Sequence, residues 1–266
     1  VNNWGSAFLP AHCQGTPIGN ASLAAKQSKI KFIRNDRFSP AEQREQLDLI
    51  AAMNRDHLAQ SGNQPALEGR LQSFELAFRM QSSVPELMDV SDEPQHVLEM
   101  YGLDKPGAAP GDGSFASNCL LARRLAERGV RFIQLYHRGW DHHGDLERYM
   151  NICCKLTDQP TWALLQDLKQ RGMLDETLII WGGEFGRTPM YQGKGGPGRD
   201  HHIKGFSMWM AGGGVKGGQV IGATDDLGLR AIEDRMHVHD LHASILHLLG
   251  LDNMALTYTF KGRPER

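Results

Sequence analysis

Two short runs rich in β-branched and aromatic residues, VRFIQLY at 130–136 and TLIIW at 177–181, constrain this chain most. Each follows a stretch with helical spacing, 115–128 before the first and 158–171 before the second. A third apolar run at 206–211 precedes a helical pattern over 238–249 that ends at Gly250. Helices alternating with nearly continuous apolar strands predict an α/β fold: a mostly parallel, doubly wound sheet covered by helices on both faces. Ligands of such sheets sit outside the carboxyl ends of the strands. The residues just after each run are therefore where a site is expected.

Those residues carry a distinctive mixture. HRGWDHHGD follows the first run, GGEFGRTP follows the second, and GGPGRDHHIKG spans 195–205. Asp141, His142, His143 and Asp145 bring two hard carboxylates and two borderline nitrogens into five positions, a mixture that suits zinc, manganese or iron. Glu184 adds a carboxylate, and Asp200 with His201 would complete a site from the next loop. One such cluster alone reads as a solvated loop; three of them, each beside a predicted strand, argue together for a metal. Arg187, three residues past Glu184, can grip an anionic oxygen or pair with Glu184. His239 and His242 lie one helical turn apart, which makes His239 a ligand or supporting candidate, whereas His247 among leucines reads as core. Trp181 and Trp209, inside apolar runs, read as core as well. The glycines between 193 and 198, with Gly205, let a backbone approach a ligand, although a mobile loop needs glycine too.

The amino-terminal part reads differently. Residues 1–38 show no sustained period and suggest an extended segment lying on another surface. Ser39 and Pro40 then open a helix to about Gln60, and 66–80 forms a second, giving an antiparallel hairpin followed by a proline-rich connection over 83–114. The chain thus divides into 1–114, segment plus hairpin plus connection, and an α/β core at 115–266, the two forming one integrated domain. With 40% hydrophobic residues in 266, a sizeable core is attainable. Lys plus Arg (29) nearly balances Asp plus Glu (31), so no basic excess points to nucleic acid. No apolar run approaches the roughly 20 residues of a membrane span, which leaves a small molecule as the expected partner. Cys13, Cys119, Cys153 and Cys154 lack the spacing of a disulfide framework or metal knuckle and read as buried free thiols. Ser114 and Ser117 precede a helix and read as its caps, not as nucleophiles.

Taken together, LLARRLAERGVRFIQLY with GWDHHGD, then LKQRGMLDETLIIWGGEFGRTP, then GRDHH and VHDLHASILHLLGL, closely resemble a bacterial family of uncharacterised proteins placed in the alkaline phosphatase and sulfatase superfamily. The resemblance implies an alkaline phosphatase-like doubly wound core, here lacking its first strand, with one or two divalent metals at the strand ends. Zinc comes first among those metals, with manganese or calcium as alternatives. It further implies hydrolysis of a phosphate or sulfate ester of a small molecule or glycan, by a periplasmic or secreted protein. Asp141, His143, Glu184 and His201 match the family's direct ligands, with Asp200 as an alternative or supporting group, and Arg187 would neutralise charge on the ester. Phe185 occupies a slot where the superfamily has a ligating histidine, which weakens the case for two metals. The nucleophile is unassigned: no apolar strand leads into an Asp-then-Ser, Thr or Cys turn, and the Cys-x-Pro-x-Arg pattern is missing. The chief rival is a non-catalytic exported protein that keeps the fold and holds an anion or glycan without metal. A metal hydrolase acting on amides is a third reading.

Overall fold

The computed structural model describes residues 4–6, 9, 13–18, 35–62, 64–104, 114–192 and 197–265. Its helices are α1 (Pro40–Ser61), α2 (Pro65–Met88), α3 (Gln95–Tyr101), α4 (Phe115–Glu127), α5 (Leu146–Gln170) and α6 (Val238–Leu248). Its strands are β1 (Ile179–Trp181), β2 (Gly186–Gln192), β3 (Gly198–His202), β4 (Trp209–Ala211), β5 (Ala223–Thr224), β6 (Ala231–Glu233), β7 (Tyr258–Phe260) and β8 (Arg263–Glu265). Among the described residues they pair as β1–β4, β2–β3, β5–β6 and β7–β8, each pair antiparallel.

The expected parallel, doubly wound sheet is thus corrected to helices with short antiparallel pairs. Two physical reasons account for the difference. A parallel pair needs a long crossover, usually a helix, between its strands. Between β1 and β4 the chain instead makes the β2–β3 hairpin and returns, so Ile179 faces Ala211 and Trp181 faces Trp209 in antiparallel register. The run at 130–136 joins no strand pair among the described residues, and Val130, Phe132 and Tyr136 at 41%, 76% and 51% exposure are too open for a central strand. An apolar, β-rich composition reports a willingness to extend, not a partner to pair with.

Helix starts were more legible. Ser39 accepts from the Glu42 amide while the Glu42 side chain accepts from the Ser39 amide, a reciprocal cap that sets α1 at Pro40. Ser114 caps α4 through the Ser117 amide, the expected role. Two boundaries move. α2 runs on to Met88 through Pro85, and α3 interrupts the expected connection at 83–114, of which 105–113 lie outside the described residues. α5 begins at Leu146 rather than 158, and Pro160, a residue suited to a first turn, stands in mid-helix and buried. Most of the expected extended segment at 1–38, and Gly193, Gly195 and Gly196, also lie outside the described residues.

The core is where α3, α4 and α5 meet: Val97, Tyr101, Leu103, Cys119, Leu120 and Ala163, with Val90, are buried together, and Leu135 packs against them. Each large apolar side chain there contributes about 1.5–3 kcal/mol. A buried ionic lattice crosses the same region. Arg123 pairs with Glu93 at 2.6 Å and Asp167 at 2.9 Å, Arg124 pairs with Glu93 at 2.6 Å, and Tyr101 donates to Asp167 at 3.1 Å. Arg124 also donates to the carbonyls of Leu87 and Asp89, which ties the end of α2 to α4. Burial and the Asp167 carboxylate push the Tyr101 hydroxyl up, so it stays a donor. No described helix is long and apolar enough to cross a membrane.

Candidate metal centre

Two segments far apart in sequence are pressed together beside this core. The first runs from 137 to 145. Trp140 Nε1 donates to His137 Nδ1 at 3.0 Å, and the Trp140 ring meets Trp181 of β1 edge-on at 6.0 Å, which fixes the loop against the strand. Tight backbone bonds from His142 to Trp140 and from His143 to Asp141 then coil the chain, and Asp145, in the left-handed region at φ 46°, turns it into α5. Aspartate is among the residues that tolerate that conformation.

The second segment is the β2–β3 hairpin. Its register sets Arg187 opposite His201 and Gln192 opposite Gly198, with a bulge between Arg187 and Tyr191. Two backbone bonds join hairpin and loop: the Arg199 amide to the His142 carbonyl at 2.9 Å, and the Leu146 amide to the Pro197 carbonyl at 2.8 Å. The approach is so close that a Cβ on Gly198 would collide with the His143 carbonyl carbon and oxygen. Glycine at 198 is what permits the contact.

This docking brings three ligand atoms together. Asp141 Oδ1 lies 2.9 Å from His143 Nε2 and 3.0 Å from His201 Nε2, and the two imidazole nitrogens are 3.2 Å apart. The three side chains are 65%, 40% and 44% exposed, so one face of the triangle opens to solvent. Asp141, His143 and His201 form a group that can hold a metal ion. Around them, Arg187 Nη2 donates to Asp141 Oδ1 at 2.6 Å, and the Phe185 ring lies 4.6 Å from the His201 ring. Hydrogen bonds from His201 and Arg187 hold the Asp141 carboxyl down to about 2, so it is a carboxylate throughout the neutral range. Arg187 Nη1 is buried without a hydrogen-bond partner among the described residues.

Other expected site residues lie elsewhere. Glu184 is exposed in the turn before β2 and outside the group of three, so Arg187 pairs with Asp141 and not with it. Asp200 accepts the His201 amide at 2.7 Å and serves the local backbone. His239 sits in the first turn of α6, its amide donating to His237 Nδ1 and its ring 4.6 Å from the His237 ring. His142 is buried and stacks on Tyr149, with Nε2 3.8 Å from Cys153 Sγ. The strand period does the same in β3: His201 faces the site while His202 turns inward, its Nε2 3.0 Å from the Gly228 carbonyl. Burial raises both thiols, Cys153 upward and Cys119 to about 12, whereas Cys13 is exposed, contrary to the expected burial of all four.

One participant was not foreseen. Gln192 Oε1 stands 2.6 Å from His143 Nδ1. Nothing in composition or motif marks it; only the hairpin register, which sets it opposite Gly198, delivers it to His143.

The family model described as "Protein of unknown function (DUF1501)" matches residues 1–266, and the chain belongs to that family. No curated protein and no solved structure matches it. The expected place in the alkaline phosphatase and sulfatase superfamily is therefore corrected: the family match carries no link to that superfamily, and the parallel sheet it implied is replaced by antiparallel pairs.

Proposed function

We propose that this DUF1501 member is a metal-dependent hydrolase of phosphate or sulfate esters. The observation that carries the reading is the triangle of Asp141 Oδ1, His143 Nε2 and His201 Nε2, with edges of 2.9, 3.0 and 3.2 Å. Ligand atoms on a tetrahedral zinc ion with bonds of about 2.0–2.1 Å stand roughly 3.3 Å apart, so shifts of a few tenths of an ångström accommodate the ion. Three protein ligands with a fourth direction open to water is the catalytic pattern, in contrast to the closed four-ligand structural site. Zinc is the metal that fits best. Manganese and iron accept the same donors, whereas calcium prefers six to eight oxygens and finds two nitrogens here.

A bound divalent ion would supply Lewis acidity at an ester oxygen and a water of lowered pKa. The protein's own groups set the substrate class. Asp141 and Arg187 cancel in charge, so a divalent ion held by this group would bring an uncompensated positive charge to it. That favours an anionic ester over a neutral amide. Arg187, with Nη2 committed to Asp141, orients that carboxylate and lends its charge to the rim rather than acting as a free fork.

Elemental analysis of the purified chain, paired with a panel of phosphate, sulfate and amide substrates, tests this. The expected result is one divalent ion per chain, lost in Asp141→Ala, and metal-dependent turnover of an anionic ester. Anion or glycan binding with no stoichiometric metal would establish the non-catalytic reading instead. Turnover confined to amides would overturn the substrate class.

A further inference from the structure

We infer that Gln192 is a positioning residue that fixes the tautomer of His143 and so presents a bare Nε2 to the metal; the inference rests on the metal reading above. A side-chain amide oxygen accepts hydrogen bonds and does not donate. With Gln192 Oε1 2.6 Å from Nδ1, the neutral His143 ring carries its proton on Nδ1, and Nε2 keeps a free lone pair. Nε2 lies 3.2 Å from His201 Nε2 and 2.9 Å from Asp141 Oδ1.

The consequence is a crowd of acceptors. Asp141 contributes an anionic oxygen, which Arg187 Nη2 already meets, and His143 a lone pair, and a proton on His201 Nε2 can bridge to one of the two but not both. A cation between them removes the repulsion. Ligating histidines commonly donate their other ring N–H to an acceptor that fixes ring orientation and raises ligand basicity. Here that acceptor is an amide at the end of β2, brought to His143 because Gln192 pairs with Gly198 and Gly198 lets the hairpin press on the His143 carbonyl.

The test uses the full chain as wild type, Asp141→Ala, Gln192→Leu and Gln192→Glu. Zinc affinity is measured by competition with a chromophoric chelator, and the His143 tautomer by nitrogen-15 chemical shifts in metal-free protein. Gln192→Leu is expected to weaken zinc about 10–100-fold, and Gln192→Glu, which keeps an acceptor, to bind at least as tightly as wild type. In the metal-free wild type the His143 proton is expected on Nδ1, moving toward Nε2 in Gln192→Leu. Loss of packing alone would not move that signature or be rescued by glutamate. If Asp141→Ala leaves zinc binding intact, the metal reading fails while the tautomer still decides the role of Gln192. If Asp141→Ala abolishes binding but Gln192→Leu stays within about twofold and wild-type His143 is protonated on Nε2, the inference about Gln192 alone is overturned.

Discussion

The molecule uses arginine–carboxylate chemistry in two places, and in opposite ways. Beneath α3, α4 and α5, Arg123 and Arg124 are 3% and 5% exposed and meet Glu93, Asp167 and backbone carbonyls. At the rim, Arg187 meets an Asp141 that is 65% exposed and already crowded by two imidazoles. The first network is buried and ion-paired throughout, with Arg123 Nη2 meeting Glu93 as an ion pair without a hydrogen bond among the described residues. The second brings Asp141 Oδ1, which accepts from His201 and Arg187, within 2.9 Å of a further ring nitrogen at a rim open to solvent. The buried network ties helices to one another, whereas the rim group gathers ligand atoms around an opening that an ion can enter.

The largest expected effect comes from breaking the buried network. Asp167 accepts from Tyr101, Arg123 and Arg171, so Asp167→Ala strands buried donors and should cost about 3–5 kcal/mol in urea unfolding. Zinc affinity of the remaining folded protein should be unchanged. A loss of affinity matching the loss of stability would show that the two regions are not separable.

Gly198→Ala comes next. The added methyl meets the His143 carbonyl group, backbone that cannot swing aside, and strain of about 1–3 kcal/mol should part the hairpin from the loop. Zinc binding should fall more steeply than stability, because the ligands come from both sides of that junction. Equal falls would mean that the contact is ordinary packing. Asp141→Asn sharpens the contrast from the other side: stability should change by under about 1 kcal/mol in urea unfolding, as for exposed ion pairs, while zinc binding is lost.

The sequence announced Asp141, His143 and His201 through residue chemistry, since carboxylate–imidazole clusters beside predicted strands are few and their donors suit a metal. It misplaced them in a parallel sheet, because TLIIW and the apolar run before Gly212 look alike whether they pair in the same or the opposite direction. Glu184 was credited for its type, yet it falls in the exposed bend just before β2, outside the group of three. Gln192 was invisible for the converse reason: its role comes from pairing with Gly198, and register is a long-range property that a lone glutamine does not advertise. Nothing in the sequence singles out Arg123 and Arg124 within the helical run 115–128, and only the neighbouring helices closing over them reveal a buried lattice.

The smallest effect concerns protons. His201 and Arg187 lower the Asp141 carboxyl from an ordinary 3.8 to about 2. A carboxyl depressed by folding contributes stability that is fully present above its unfolded value and lost as pH falls through the folded one. The window is therefore about pH 4 down to about pH 2, well below neutrality, and the loss is slight because the side chain is largely exposed. In carbon-13 titrations of the Asp141 carboxyl in metal-free protein, Arg187→Gln should move the midpoint upward from about 2 toward 3.8. An unmoved midpoint would mean that His201 alone holds the carboxylate, and Arg187 would then drop out of the rim's electrostatics while the buried network below keeps its arginines.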